Sequence, residues 1–281
     1  MKIIDVLGYA IKELDEAKVE NNIFEARLFL SHILNKPVEW IMVHINDEIT
    51  DEDKNGLEEL IKRRILGEPF QYIIGNCGFM GQEFIVNKNV LVPRADTEVW
   101  VEKVIKLAKK TKAGSVLDLC TGSGCIAITI KKMLGEEVVV YASDISSDAL
   151  DVAKENARKN GVDVKFVCSD LFEKLPQSKF DIIVSNPPYI PREEIKKLAV
   201  DVQNEPLLAL DGGVDGLDFY RLIASQGKKF VNDNGYLAFE FGYDQSMQVK
   251  DILEENGFII YDIINDYSGN TRAIISKKGD K

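Results

Sequence analysis

Val116-Leu117-Asp118-Leu119-Cys120-Thr121-Gly122-Ser123-Gly124 is an apolar run that ends in a glycine-rich turn. It predicts a buried strand leading into the start of a helix, the context in which a glycine turn has chemical meaning. Gly122 and Gly124 let backbone approach a ligand, and a helix N-terminus offers unpaired N–H groups. A dinucleotide-binding turn begins in the same way. Here, however, Ala127 stands where a third glycine would be, and Asp118 precedes the turn. A carboxylate at that point repels a pyrophosphate and suits a ligand with a cationic end.

Working outward, strand and helix signals alternate on the C-terminal side. Residues 115–119, 138–143, 164–168 and 181–185 read as strands, with helices opening near Gly124 and Ser146. Such alternation implies βαβ units and a parallel sheet covered on both faces. Three more strands are expected at residues 235–241, 257–264 and 271–276. The connection over residues 265–270 is too short for a crossover helix, so the last pair must be antiparallel. The fold class is therefore α/β: a Rossmann-like seven-stranded sheet with its last strand antiparallel, the layout of a large class of methyltransferases.

On the N-terminal side the pattern is helical. Ile4, Leu7, Ile11 and Leu14 recur at helical spacing, as do Phe24, Leu28 and residues 30–34, and then Leu57, Leu60, Ile61 and Ile65. Asn22 with Glu25, and Thr50 with Asp53, read as helix starts. Between Pro69 and Val92, Gly75, Gly78 and Gly81 punctuate extended segments, which predicts a β-hairpin. The expected organisation is a small all-α domain over residues 1–70, a hairpin linker over 71–92, and a further domain over 93–281 that carries the sheet.

Composition narrows the function. The net charge is −11, and the first 70 residues carry nine basic against fifteen acidic side chains, so stable nucleic-acid binding is disfavoured. Lys109, Lys110 and Lys112 read as the cationic end of a helix. No long uncharged apolar run marks a signal peptide or a membrane span, and a cytoplasmic location is expected. The four cysteines, Cys77, Cys120, Cys125 and Cys168, lack zinc or disulfide-scaffold spacing and read as reduced thiols. His32 and His44 read as packed or surface residues, no metal is expected, and no coiled-coil stripe argues against a monomer.

Two further acids fall at strand ends. Asp144 closes the second strand of the sheet domain, where a carboxylate meets ribose hydroxyls, and Asp170 follows the third, where it can accept from an adenine amino group. Either acid alone fits a helix cap equally well. With Asp118 they outline a nucleoside cleft without phosphate binding, which favours S-adenosyl-L-methionine over NAD.

The fourth strand runs into Ser185-Asn186-Pro187-Pro188-Tyr189-Ile190-Pro191. Prolines alone would make a stiff loop, but they require neither an Asn before them nor a Tyr after. An amide nitrogen is a poor nucleophile because its lone pair is delocalised, so it must be aimed at the methyl carbon. The Asn186 side-chain oxygen and the Pro187 carbonyl can accept its two N–H bonds, with Tyr189 packing on the planar group. Such positioning can contribute roughly 7–11 kcal/mol in favourable cases.

The Asn-Pro-Pro-Tyr motif behind this glycine turn resembles methyltransferases that act on planar nitrogens: adenine N6 in DNA, guanine N2 in RNA, and protein glutamine N5. Leu91-Val92-Pro93-Arg94-Ala95-Asp96-Thr97-Glu98 narrows the resemblance to the glutamine N5-methyltransferases of peptide chain release factors. Gly67-Glu68-Pro69, Glu205-Pro206-Leu207-Leu208-Ala209-Leu210, Asp215-Gly216, Glu240-Phe241-Gly242-Tyr243 and Asp266-Tyr267-Ser268-Gly269-Asn270-Thr271-Arg272 are also similar to that family.

The resemblance implies that Cys120, Thr121, Gly122, Ser123, Gly124, Asp144, Leu171 and Asn186 contact the methyl donor, whose product is S-adenosyl-L-homocysteine. It also implies that Asn186, Pro187, Pro188 and Tyr189 contact the glutamine of a release-factor Gly-Gly-Gln loop. Arg94, Thr97 and Glu98 are candidate substrate contacts, although Thr97 fits a helix cap equally. The chain departs from the family at Ala95, where proline is common, at Cys120, where glycine is usual, and at Leu171, where an aromatic often packs on adenine. Phe172 is the alternative partner for adenine. A ribosomal-protein glutamine and a nucleic-acid amino group remain the alternative acceptors.

Overall fold

The computed structural model describes residues 1–176 and 178–279. The chain opens with five helices, α1 (Ile3–Glu16), α2 (Asn22–Leu34), α3 (Val38–Val43), α4 (Asp51–Ile65) and α5 (Phe70–Ile74). A hairpin follows, β1 (Asn76–Phe79) and β2 (Gln82–Ile85), then α6 (Ala95–Thr111) and β3 (Ser115–Leu119). Next come α7 (Cys125–Leu134), β4 (Val139–Asp144), α8 (Ser147–Asn160), β5 (Lys165–Cys168) and β6 (Phe180–Ser185). Short helices α9 (Val200–Gln203) and α10 (Leu207–Leu210) precede α11 (Asp218–Gly227) and β7 (Val231–Glu240). The chain closes with α12 (Ser246–Glu255), β8 (Phe258–Asn265) and β9 (Thr271–Lys278). Among the described residues no helix is long and apolar enough to cross a membrane.

Two compact units result, one of Met1–Gly75 with Ala199–Asn204, the other of Asn76–Leu198 with Glu205–Lys281. In the first, α1, α2 and α4 bury Leu7, Ala10, Leu14, Phe29, Leu30, Leu57 and Ile61 in one apolar core. Arg64 is the polar centre of this unit. It makes a two-pronged ion pair with buried Glu25, at 2.7 and 3.2 Å, and also reaches Asp201 at 3.2 Å. Thr50 caps α4 as the sequence suggests, accepting from the Asp53 N–H at 3.1 Å. Asn22 does not cap α2. Asn21 holds that position, while Asn22 turns to Asp15 at 2.7 Å, and Glu25 is withdrawn to Arg64. Residues 70–74, expected to be extended, form α5 instead, because Pro69 and the left-handed Gly75 bracket one helical turn.

In the second unit the seven strands run in the order β5-β4-β3-β6-β7-β9-β8. All neighbours are parallel except β9, which is antiparallel to both β7 and β8. Alternate strand residues enter opposite apolar layers, as a pleated sheet covered on both faces requires. Val116, Ile182 and Val184 join α6, α7 and α8 on one side, whereas Leu117, Leu119 and Ile183 join α11 and α12 on the other. From β3 the chain steps outward through β4 and β5, then returns to the other flank of β3 as β6. This reversal opens a crevice at the carboxyl ends of β3 and β6, where Leu119 pairs with Ser185.

Candidate functional site

The glycine turn owes its shape to α7 and α8 packing close behind it. Gly124 has φ +80°, and a Cβ there would sit 2.9 Å from Ile128 and 3.0 Å from Ala153. Cys120 adopts φ +59° at the β3 exit, an uncommon conformation for a side-chain-bearing residue, and its thiol packs toward the α11–α12 layer. Burial raises the Cys120 thiol pKa and pushes that of Cys125 to about 12, so both are neutral thiols.

Behind the turn, Asn156 on α8 is fully buried and links three segments. It accepts from the Ile85 N–H at 2.6 Å and donates to the Ile85 and Ser123 carbonyls, both at 2.9 Å. The hairpin thereby holds the turn through one side chain.

Three of the turn N–H groups, those of Thr121, Gly122 and Gly124, are already committed. Gly122 donates to Asp144 Oδ2 at 2.9 Å, Gly124 donates to the Thr121 carbonyl at 2.9 Å, and Asp144 Oδ1 accepts from Ser146 at 2.9 Å. A carboxylate therefore takes the place that a phosphate holds in dinucleotide turns. Burial raises the Asp144 pKa, and its backbone donors oppose the rise.

A cavity of about 370 Å³ lies over this edge, within the range of small-molecule sites. Its walls include Cys120, Thr121, Gly122, Ser123, Asp144, Asp170, Leu171, Asn186 and Pro188, together with Arg94 and Thr97. Arg94 is the one basic residue in the lining, and its guanidinium is held by the buried Glu205 carboxylate, which also accepts from the Val92 N–H at 2.8 Å. Two acids, amides at Gly122 and Gly124 that are already committed, and an ion-paired arginine fit a nucleoside carrying a cationic sulfonium rather than a dinucleotide. Among the described residues, no cluster of His, Cys and acidic side chains could hold a metal ion.

Several candidate residues lie elsewhere. Asp118 is fully buried, with Oδ2 accepting from the Thr121 hydroxyl at 2.6 Å and from the Ala127 N–H at 3.2 Å. It points into the α7 side of the sheet, because alternation sends it opposite to Leu117 and Leu119, and so does not face the cavity. Gly124, Pro187, Tyr189 and Glu98 are also off the walls. Glu98 accepts from the Met80 N–H at 2.6 Å, which ties α6 to the hairpin turn. The Tyr189 ring packs against the α11–α12 layer. Thr97 is no cap: α6 begins at Ala95, and the Thr97 hydroxyl donates to buried Glu240 at 2.7 Å, beside Trp100 Nε1 at 2.6 Å. Phe172 stacks on Phe230 inside the core, which leaves Leu171, at φ +42°, as the cavity residue of that pair. Arg272, at the start of β9, pairs with Asp266 at 2.9 Å and with Asp96 at 3.4 Å.

Sequence reasoning missed the wall formed by residues 89–92 and by Pro206, Leu208, Ala209, Phe219 and Leu222. The signal available for it was Glu205, an acid ahead of an apolar run, whose burial shows only in three dimensions.

Asp118 carries a pH signature. Burial pushes its carboxyl up to about 7, opposed by the Thr121 and Ala127 hydrogen bonds, and Oδ1 has no partner. A carboxyl raised in the folded state holds its proton there after the unfolded chain has lost it. Its contribution to stability is therefore full below about pH 4 and declines as pH rises to about 7. Asp118→Asn should gain stability relative to the parent across that window, with a slope approaching roughly 1.4 kcal/mol per pH unit. Paired denaturant titrations at several pH values measure the slope; a flat difference would mean that Asp118 is ionised throughout.

Comparison with known proteins agrees with this geometry. The model of the methyltransferase small domain matches residues 97–204, and that of the PrmC N-terminal domain matches residues 5–75. A release factor glutamine methyltransferase of Clostridium acetobutylicum is 39% identical over 284 residues, covering 99% of both chains. A bifunctional methyltransferase of Rickettsia felis is 38% identical over 97% of this chain, which spans only 57% of that longer protein. A methyltransferase of Pyrococcus furiosus shares the fold, with a TM-score of 0.53 and 18% identity over 72% of this chain and 91% of its own. Matched in both units and along almost its whole length, the chain belongs to the release factor glutamine methyltransferase family.

Proposed function

We propose that the protein transfers a methyl group from S-adenosyl-L-methionine to the side-chain nitrogen of the glutamine in a release-factor Gly-Gly-Gln loop. One observation carries this reading. Asn186 lines the cavity at the end of β6, and among the described residues no donor reaches its side chain or the Pro187 carbonyl. Two acceptors left open beside a nucleoside-shaped cleft match the two N–H bonds of a primary amide.

Asp144 would receive the ribose hydroxyls, Asp170 and Leu171 would meet the adenine, and the backbone of Gly122 and Ser123 would lie along the amino-acid portion. When bound, the sulfonium supplies an electrophilic methyl carbon and departs as a thioether. The acceptors on Asn186 and Pro187 hold the amide so that its nitrogen points at that carbon. A fixed near-attack geometry supplies most of what a weak nucleophile needs. No protein base is required, because the nitrogen is far more acidic once methylated and its proton passes to water. Residues 5–75 match the family's N-terminal domain, and we assign the docking of the acceptor protein to them.

The test is transfer of labelled methyl to purified release factor, run beside a factor whose loop glutamine is alanine. Label confined to the unmodified factor is expected. Label on ribosomal protein or nucleic acid in its place would keep the chemistry and overturn the acceptor.

A further inference from the structure

The loop bearing Asn186 and Pro187 is anchored at both ends. At its entry, Ser185 is paired in β6, and its hydroxyl donates to the Leu119 carbonyl at 2.8 Å. At its exit, the Tyr189 carbonyl accepts from the side-chain amide of Gln245 at 2.9 Å. The same nitrogen donates to the Gly216 carbonyl at 3.3 Å, while the Gln245 oxygen accepts from the Gly242 N–H at 3.0 Å. Gln245 is 6% exposed and forms no part of the cavity wall.

Three segments distant in sequence thus meet on one amide. The Ile190 N–H donates to the Leu210 carbonyl at 3.0 Å, and the Gly212 N–H to the Ile190 carbonyl at 2.9 Å. Gly216, at φ +76°, lies so close that a Cβ there would overlap the Tyr189 carbonyl oxygen and the Gln245 amide. Between the two anchors, Pro187 and Pro188 have fixed φ, so few soft torsions remain. Fixing the Tyr189 carbonyl therefore fixes where Asn186 and Pro187 point.

From this we infer that Gln245 is a positioning residue for methyl transfer: its two N–H bonds hold the exit of the acceptor loop and keep Asn186 and Pro187 aligned with the methyl donor. The inference rests on the function proposed above. It distinguishes the donor half of Gln245 from the acceptor half, which only closes the turn at Gly242.

Gln245→Glu separates the two halves. It keeps an oxygen for the Gly242 N–H but offers no N–H to the two carbonyls, and Gln245→Ala removes everything. Both variants are expected to lose kcat on the order of 100-fold toward release factor, with the dissociation constant for S-adenosyl-L-methionine held within about twofold. Hydrogen exchange at Ile190 and Gly212 should quicken about tenfold in Gln245→Glu, the effect of roughly one lost hydrogen bond, while Leu117 and Leu237 stay unchanged. A Glu variant with parental kcat, or unchanged exchange at Ile190 and Gly212, overturns the inference. Failure of the parent protein to label release factor would instead overturn the substrate assignment, and the exchange measurement still decides the role of Gln245.

Discussion

Asn186→Ala is expected to lower kcat for methyl transfer by about 10²- to 10³-fold, the usual consequence of removing one pre-aimed polar partner of a transition state. The loss should fall on kcat. Donor affinity should change by less than about tenfold, because Asp144, Asp170, Leu171 and the turn backbone remain on the cavity wall. The Asn186 side chain has no protein partner among the described residues, so its removal leaves no buried group stranded and should barely alter thermal stability. Asn186→Asp retains an oxygen acceptor in the same place and should fall between alanine and the parent. Saturating-donor kinetics with calorimetric titration of S-adenosyl-L-methionine would separate the two quantities. An alanine variant within threefold of parental kcat would remove Asn186 from the mechanism and leave the Pro187 carbonyl as the sole orienting group.

The sheet was legible because its signals are local. Alternating apolar segments mark the strands, and the five residues between β8 and β9 leave no room for a crossover, so the antiparallel pairing of these two follows from length alone. The cavity edge was legible for a similar reason: in a parallel sheet, residues just beyond strand ends share one rim, which places Asp144, Asp170 and Asn186 together. What could not be read is which way a side chain turns once its neighbours compete for it. Asp118 satisfies the α7 N-terminus and its own Thr121, so a residue that looks like a ligand contact becomes part of the wall behind it. Thr97 looks like a cap until Glu240, more than 140 residues away, takes its hydroxyl. Glu205, Asn156 and Gln245 belong to the same class. Each is a polar residue with at least one backbone partner in a remote segment, and pattern or spacing cannot announce such pairings.

Asn156 offers a large expected effect on stability for a polar side chain of the sheet unit. Asn156→Ala would strand the Ile85 N–H, the Ile85 carbonyl and the Ser123 carbonyl, at a residue that is 0% exposed. Each buried orphan costs roughly 1–3 kcal/mol, and partial access of water makes a total of about 3–5 kcal/mol reasonable. For a unit of this size that corresponds to a fall in Tm on the order of 10 °C.

The isosteric Asn156→Asp sharpens the argument. A carboxylate can still accept from Ile85, but its second oxygen would face two carbonyl oxygens where the amide once donated. Its pKa in the folded state must therefore rise, and the variant should recover stability as pH falls and the carboxyl takes up a proton. Because Ser123 also lines the cavity, both variants should weaken binding of S-adenosyl-L-methionine, and by more than Asn186→Ala does. Thermal melts across pH with parallel donor titrations test both halves. An alanine variant that melts within about 1 °C of the parent would show that water replaces the Asn156 amide at little cost, and that the hairpin does not hold the turn.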